Sequence, residues 1–144
     1  MVFSACEISS KKKNRFPQFE ERVGKDVAEL IVRSSDIKIS RTFKTQGRFV
    51  AGAAQKALSV DEIKRLQGLL LNDEGYVFDK MKKCLFMPEI ALKFYGEKEL
   101  IIYVSSICKQ IKIDDLKQTI VLDYDPMAEE LTPFVKSLLG ESHE

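Results

Sequence analysis

The chain of 144 residues contains no tryptophan and only one histidine, His143, next to the last residue. Catalytic triads, Cys–His pairs and HExxH zinc sites each need an imidazole held in a fixed position, so this scarcity argues against all three. The glycines are scattered, and none forms the GxGxxG or GxxxxGK pattern of a phosphate-binding loop. We therefore predict no catalytic residue, no metal site and no cofactor.

The chain also lacks an excess of charge of either sign. It has 23 Lys and Arg residues against 22 Asp and Glu residues, for a net charge of +1. This balance gives no overall field that would attract nucleic acid, so we predict no nucleic-acid partner. No apolar run reaches the roughly 18 residues that span a bilayer. With 44% hydrophobic residues, the chain has enough for the core of one domain.

Two of the three cysteines, Cys84 and Cys108, flank a predicted β-hairpin whose turn lies near Gly96. If Tyr95 pairs with Lys98 or the residue after it, the numbers of paired residues add up to 193 or 194, whereas the two cysteines add up to 192. The thiols are therefore expected almost opposite each other on neighbouring strands. Their Cα atoms should lie within about 7 Å, the limit for a disulfide.

Three interpretations of Cys84 and Cys108 stay open. A disulfide between them would persist in an oxidising compartment outside the cytosol. A reduced pair would be buried as small apolar side chains. A redox-active pair usually has CxxC spacing at a helix N-terminus, which these two residues lack.

The third cysteine, Cys6, follows Val2–Ala5, and this start resembles a bacterial lipobox, in which small residues precede an acylated cysteine. The charged and apolar regions of a signal peptide are missing, and Phe3 stands where leucine is usual. Residues 1–16 show no periodicity and predict a flexible N-terminal arm. Cys6 is thus a candidate lipidation site and the arm a candidate lipoprotein tether, the alternative being a disordered cytosolic N-terminus.

Helical periodicity begins after this arm. Apolar residues from Phe19 to Ile31 predict a helix over 17–33, which Gly24 weakens. Ser59 and Glu62 have the spacing of a capping box, which predicts a helix over about 60–71.

A last helix is predicted after Asp125, a favourable N-cap, with Pro126 as its first residue. Pro133 inside it is expected to kink or divide the helix. Gly140 should close it, and residues 141–144 are predicted to be a disordered tail.

Between the helices, alternating or continuous apolar runs predict strands joined by short turns. Pro88 should make the first arm of the central hairpin bulge or lie at an edge. Runs of strands separated by helices favour an α+β fold, an antiparallel sheet with helices packed on one face, as a two-layer sandwich over residues 17–140. The predicted strands are 36–43, 48–51, 76–78, a first hairpin arm over 84–94 that Pro88 interrupts, 99–105, a continuation of the pairing over 107–113, and 119–122.

Acidic residues cluster at Asp114–Asp115 and Asp123–Asp125. Carboxylates that meet at one end of a sheet can hold calcium. Turn formation and helix capping explain the same residues, and we favour that interpretation.

The spaced pattern Cys84-x-Phe86-x-Pro88-x-x-Ala91-Leu92-x-Phe94, followed by Cys108, resembles a group of small uncharacterised bacterial proteins, some of them similar to lipoproteins. The resemblance covers roughly residues 58–113. It implies no activity, and it supports treating this cysteine-bounded segment as one structural unit.

Together these features predict a non-catalytic binding or structural protein, a small bacterial lipoprotein attached to the membrane through Cys6 on the periplasmic or outer side of the cell envelope. Its partner would be an unknown protein or small ligand. The alternative is a soluble cytoplasmic interaction protein, such as an adaptor or a toxin-neutralising module. A third possibility is a small hydrolase that uses carboxylates.

Overall fold

The computed structural model describes residues 15–140, so most of the predicted arm, Cys6 with it, and the tail 141–144 lie outside the described residues. The last two residues of the predicted arm contact the domain. The carbonyl oxygen of Arg15 accepts a hydrogen bond from the Asp73 N–H at 3.0 Å, and Phe16 packs against the core.

Within these residues the chain has the α+β fold predicted from its sequence, with four α-helices and seven β-strands. In chain order they are α1 (Pro17–Val23), α2 (Lys25–Arg33), β1 (Ile37–Thr45), β2 (Arg48–Ala51), β3 (Lys56–Ala57), α3 (Val60–Leu70), β4 (Ile90–Phe94), β5 (Leu100–Ser105), β6 (Gln110–Asp114), β7 (Thr119–Asp123) and α4 (Ala128–Leu138).

The strands form one antiparallel sheet in the order β2-β1-β4-β5-β6-β7, and the short β3 pairs with β1. Strands β4 to β7 are consecutive neighbours joined by turns. In the central hairpin Ile90 pairs with Val104 and Phe94 with Leu100, so paired numbers add up to 194. The predicted register is therefore confirmed.

Every second residue of the central strands points into one hydrophobic cluster. Ile39, Leu92, Ile102 and Ile113 lie side by side across four strands and are almost completely buried. The same cluster includes residues of all four helices, among them Phe19, Ile31, Leu66, Leu131 and Val135. The intervening strand residues, which point the other way, form the outer face of the sheet.

The predicted single helix over 17–33 is wrong, because it is divided at Gly24 into α1 and α2. Gly24 has φ 99°, a value that favours glycine. Its N–H still donates to the Glu20 carbonyl, and its carbonyl accepts from the Ala28 N–H. The chain thus turns at one residue while both helices keep their apolar residues in the core.

The predicted capping box of α3 is confirmed. The Glu62 N–H donates to Ser59 Oγ at 3.2 Å, and Glu62 Oε1 accepts from the Ser59 N–H at 2.9 Å. Lys56 pairs with the same carboxylate at 2.8 Å. This ion pair and the capping hydrogen bonds lower the pKa of Glu62.

Two details of the last helix differ from prediction. Asp125 does not cap it, since a 3₁₀ turn, Asp125–Met127, comes first and Met127 is the residue before α4. The helix is also not divided at Pro133, which lies exposed inside it. Gly140, with φ 78°, follows the end of the helix.

The predicted strand over 76–78 is wrong, because only Val77 makes a bridge, to Asp123. Tyr76 instead turns into the core, where its ring stacks on Phe19 at 5.3 Å and its hydroxyl donates to the Leu70 carbonyl at 2.7 Å. Helix packing has overridden the β-forming preference of these residues.

We predict that Ser59→Ala lowers the free energy of unfolding by about 1 kcal/mol, because the Glu62 N–H loses its acceptor at the start of α3. Urea denaturation of the purified protein measures this. Ser35→Ala is the matched control, since Ser35 is exposed outside the helices and strands and its replacement should change stability little. Equal midpoints for the two variants would contradict the prediction.

Candidate ligand-binding groove

Cys84 and Cys108 lie at disulfide distance, with their Sγ atoms 1.97 Å apart and their Cα atoms 5.9 Å apart. The predicted Cα separation of less than about 7 Å is confirmed. Cys108 is buried, and its N–H donates to Ser105 Oγ at 3.2 Å.

The predicted location of the two cysteines on neighbouring strands is wrong. Cys108 lies in the turn between β5 and β6, and Cys84 lies in the segment 79–89, which contains neither helix nor strand. The ladder of the central hairpin continues only as far as the Glu89 N–H, which donates to the Val104 carbonyl. Pro88, which has no N–H to donate, lies just outside β4, a strand between β1 and β5, so the predicted bulge or edge position within the hairpin arm is not found.

The segment 79–89 is held by side chains as well as by the cysteine pair. The Lys82 N–H donates to Asp123 Oδ2 at 3.1 Å, and Lys82 Nζ pairs with Asp125 at 2.8 Å. At the other end, Thr42 Oγ1 donates to the Pro88 carbonyl at 2.7 Å. These contacts at both ends and the cysteines between them hold the segment against the sheet.

The tip of the β1–β2 hairpin stands opposite this segment. Its two turn residues, Gln46 and Gly47, have φ values of 53° and 77°. Two consecutive positive φ values are typical of the tight two-residue turn that matches the twist of β-hairpins. The turn presents Lys44, Arg48 and Phe49 around the tip.

A groove of about 490 Å³ lies between the hairpin tip and the segment 79–89. Tyr103 and Lys112, which pair across β5 and β6, belong to the outer face of the sheet and form its floor. Its other lining residues are Lys44, Gly47, Arg48, Phe49 and Val50 of the hairpin, Leu85, Phe86 and Met87 next to Cys84, and Asp114 of β6.

Three cations line the groove, and aromatic rings lie beside two of them. Lys112 Nζ lies 5.3 Å from the centre of the Phe86 ring and 5.9 Å from that of Tyr103. Lys44 Nζ lies 5.7 Å from the Phe49 ring. Within residues 15–140, neither these lysines nor Arg48 forms an ion pair with a carboxylate.

The one carboxylate that the described part of the chain adds to the lining, Asp114, takes part in a turn, where its Oδ1 accepts from the Leu116 N–H at 2.9 Å. Burial, and then the nearby Asp114 charge, raise the pKa of Tyr103, with Arg48 acting in the opposite direction. Tyr103 is therefore a neutral hydroxyl at physiological pH. The charge of the groove is positive.

A second depression, of about 370 Å³ beside α2, differs in its charges. Its lining includes Asp26, Glu29 and Glu97 together with Arg33 and Lys98. Lys98 lies 3.8 Å from Asp26, so opposite charges are already close together. The groove at Tyr103 is the stronger candidate because three cations in its lining face a single carboxylate, which leaves it a net positive charge.

The predicted acidic residues serve local structure. Asp115 Oδ1 accepts from the N–H groups of Lys117 and Gln118 in the turn before β7, and these bonds lower its pKa in spite of burial, which raises it. Asp123 is buried, and its Oδ1 accepts from Gln110 Nε2 at 2.7 Å. Within residues 15–140, no group of three or more His, Cys, Asp or Glu residues could hold a metal ion.

The groove is a feature that was not predicted from the sequence. The predicted strands include Arg48 and Lys112, and Lys44 directly follows the predicted strand 36–43, but no role was expected for these cations. One signal in the sequence could have pointed to the groove. Lys112 lies between Ile111 and Ile113, which marks an outward-facing charge in a strand with a buried face.

No helix within the described part of the chain is long and apolar enough to cross a bilayer. Comparisons of the chain with family models, with curated proteins and with solved structures find no match.

We predict that replacing both Cys84 and Cys108 by serine lowers the free energy of unfolding under oxidising conditions by up to about 3.5 kcal/mol. The cysteines are 24 positions apart, and chain entropy gives about this value for a loop of about 25 residues. Urea denaturation with and without reductant measures the change, in a Cys6→Ser background that prevents disulfide exchange. Reductant should destabilise the parent and leave the double variant unchanged, and a parent insensitive to reductant would contradict the prediction.

The buried Tyr124 is expected to make the free energy of unfolding depend on pH in the alkaline range. It is fully buried, with its hydroxyl 2.8 Å from Thr132 Oγ1, and burial raises its pKa to about 12. Above the unfolded-state pKa of about 10 the unfolded chain loses this proton first, so stability falls as pH rises from 10 to 12.

We predict that the titration of Tyr124 alone lowers the free energy of unfolding by about 1.4 kcal/mol between pH 8 and pH 11. Tyr124→Phe has no proton to lose, so its stability should fall less steeply over this range in urea denaturation. Tyr76, whose pKa burial also raises, contributes equally to both proteins. Parallel pH profiles for wild type and variant would show that Tyr124 does not titrate in this way.

Proposed function

We propose that this chain is a non-catalytic binding protein of an oxidising compartment outside the cytosol, and that the groove above Tyr103 is its binding site. The observation that carries the proposal is the position of the cysteine pair. Cys84 directly precedes Leu85–Met87, which form one wall of the groove, so a disulfide here holds a binding surface in place.

The side chains of the groove favour binding over catalysis. Among residues 15–140 its lining has no serine, threonine, cysteine or histidine, and the nearest candidate for a base, Asp114, is engaged in a turn. Nucleophilic catalysis needs a nucleophile and a base within hydrogen-bond reach of each other. A carboxylate-dependent hydrolase has less support for the same reason, because a pair of carboxylates is required and the lining has one.

The cysteine pair supports the proposed compartment, because disulfides persist outside the reducing cytosol. In our proposal Cys6 is acylated and attaches the domain to a bacterial membrane from the periplasmic or outer side. The lipobox-like residues before Cys6 and the resemblance to small bacterial proteins support this attachment. Both remain predictions from the sequence.

Intact-mass analysis of the natively expressed protein tests the proposal. We expect a mass lower by two hydrogen atoms without reductant than with it, and an added diacylglyceryl group that the Cys6→Ser variant lacks. Fractionation should recover the wild-type protein with membranes and the variant in the soluble envelope fraction.

A protein recovered from the cytosol with three free thiols would contradict the proposal. It would favour the alternative of a cytoplasmic interaction protein. A disulfide without acylation would retain the oxidising compartment and remove the membrane attachment.

A further inference from the structure

We propose that the ligand of this groove is a small organic anion that carries an aromatic ring. The inference rests on the proposed function, since it assumes that the groove is the binding site. It names the class of ligand from the charges, rings and volume that the groove presents.

The volume favours a small molecule. The groove measures about 490 Å³, and sites for small ligands range from about 300 to 1,000 Å³. It is bounded by the hairpin tip on one side and by the segment held at Cys84 on the other. A compact ligand can therefore contact both walls at once.

The charges favour an anion. Lys44, Arg48 and Lys112 line the groove without a carboxylate partner among residues 15–140, and the lining described there has a single carboxylate, Asp114. Arginine presents a planar set of donors that matches a carboxylate with two hydrogen bonds. An anionic ligand would balance the excess of positive charge in the groove.

The rings favour an aromatic body on that anion. Phe49, Phe86 and Tyr103 line the groove, and two of its lysines lie near their rings. A ligand ring stacks favourably on such side chains, and apolar atoms of the ligand can cover Met87 and Leu85, which are 43% and 81% exposed. Because Tyr103 keeps its proton at physiological pH, the floor adds no negative charge that would repel the ligand.

A single-stranded nucleic acid is a less suitable occupant, although it also combines rings with negative charge. Binding of that kind uses a positively charged track along several nucleotides. Here only a few cations, Lys44, Arg48 and Lys112, line one short groove, in a chain of net charge +1. An oligonucleotide is therefore a useful competitor in the binding experiment.

Calorimetric titration of the oxidised full-length protein with three probes tests the proposal. The probes are 2-naphthoate, its neutral analogue 2-naphthamide, and acetate, which has the carboxylate without the ring. We expect 2-naphthoate to bind at least about tenfold more tightly than either of the others, since a charge-assisted hydrogen bond accounts for about a tenfold change.

Two groove variants and one matched control locate the site. Arg48→Gln and Lys112→Gln should each weaken 2-naphthoate binding by about tenfold. Lys64→Gln removes the same charge from an exposed position on α3, outside the groove, and should leave binding unchanged. Thermal denaturation verifies that all three variants fold, and amide chemical-shift changes in the wild-type protein locate the bound probe if a variant does not.

Equal affinities for 2-naphthoate and 2-naphthamide would overturn the proposal, as would variants that behave like Lys64→Gln or shift changes outside the groove. An oligothymidylate that binds more tightly and displaces 2-naphthoate would also overturn it in favour of nucleic acid. If all probes fail while intact mass shows the disulfide and the acyl group, the compartment and attachment of the proposed function stand and only the ligand class is wrong.

Discussion

The alternation of buried and outward-facing residues across the meander β4–β7 is the constraint on which the rest of the structure depends. Because Ile102 faces the core, its neighbour Tyr103 must face outward, and the same holds for Ile113 and Lys112. A slip of one residue would bury Lys112 and expose the isoleucines. The hydrophobic cluster therefore determines which side chains the outer face can offer to a ligand.

The outer face forms a groove because two segments of the chain stand above it. One is the β1–β2 hairpin tip, which its own turn residues shape. The other is the segment 79–89, which has no backbone ladder of its own and is held by Lys82, by Thr42 and by the cysteines at 84 and 108. A few long-range contacts thus take the place of regular secondary structure.

Local signals in the sequence predicted local structure well. The Ser59–Glu62 capping box and the register about Gly96 depend on residues a few positions apart, and both are confirmed. The break at Gly24 and the inward turn of Tyr76 depend on packing between distant elements, which periodicity does not report. The groove was not predictable for the same reason, because its walls come from segments about 40 residues apart in sequence.

The gap between β2 and β3 affects whether copies of this protein can associate through the edges of their sheets at high concentration. β2 and β3 both pair with β1 along the same side, but the chain leaves the ladder after Gly52, whose N–H still donates to the Arg41 carbonyl and where a Cβ atom would lie 2.8 Å from that oxygen. A long, flat row of free N–H and C=O groups is what lets one sheet extend into another and start a fibril. The short, broken edge here offers no such template, so this side of the sheet protects the protein from aggregating edge to edge.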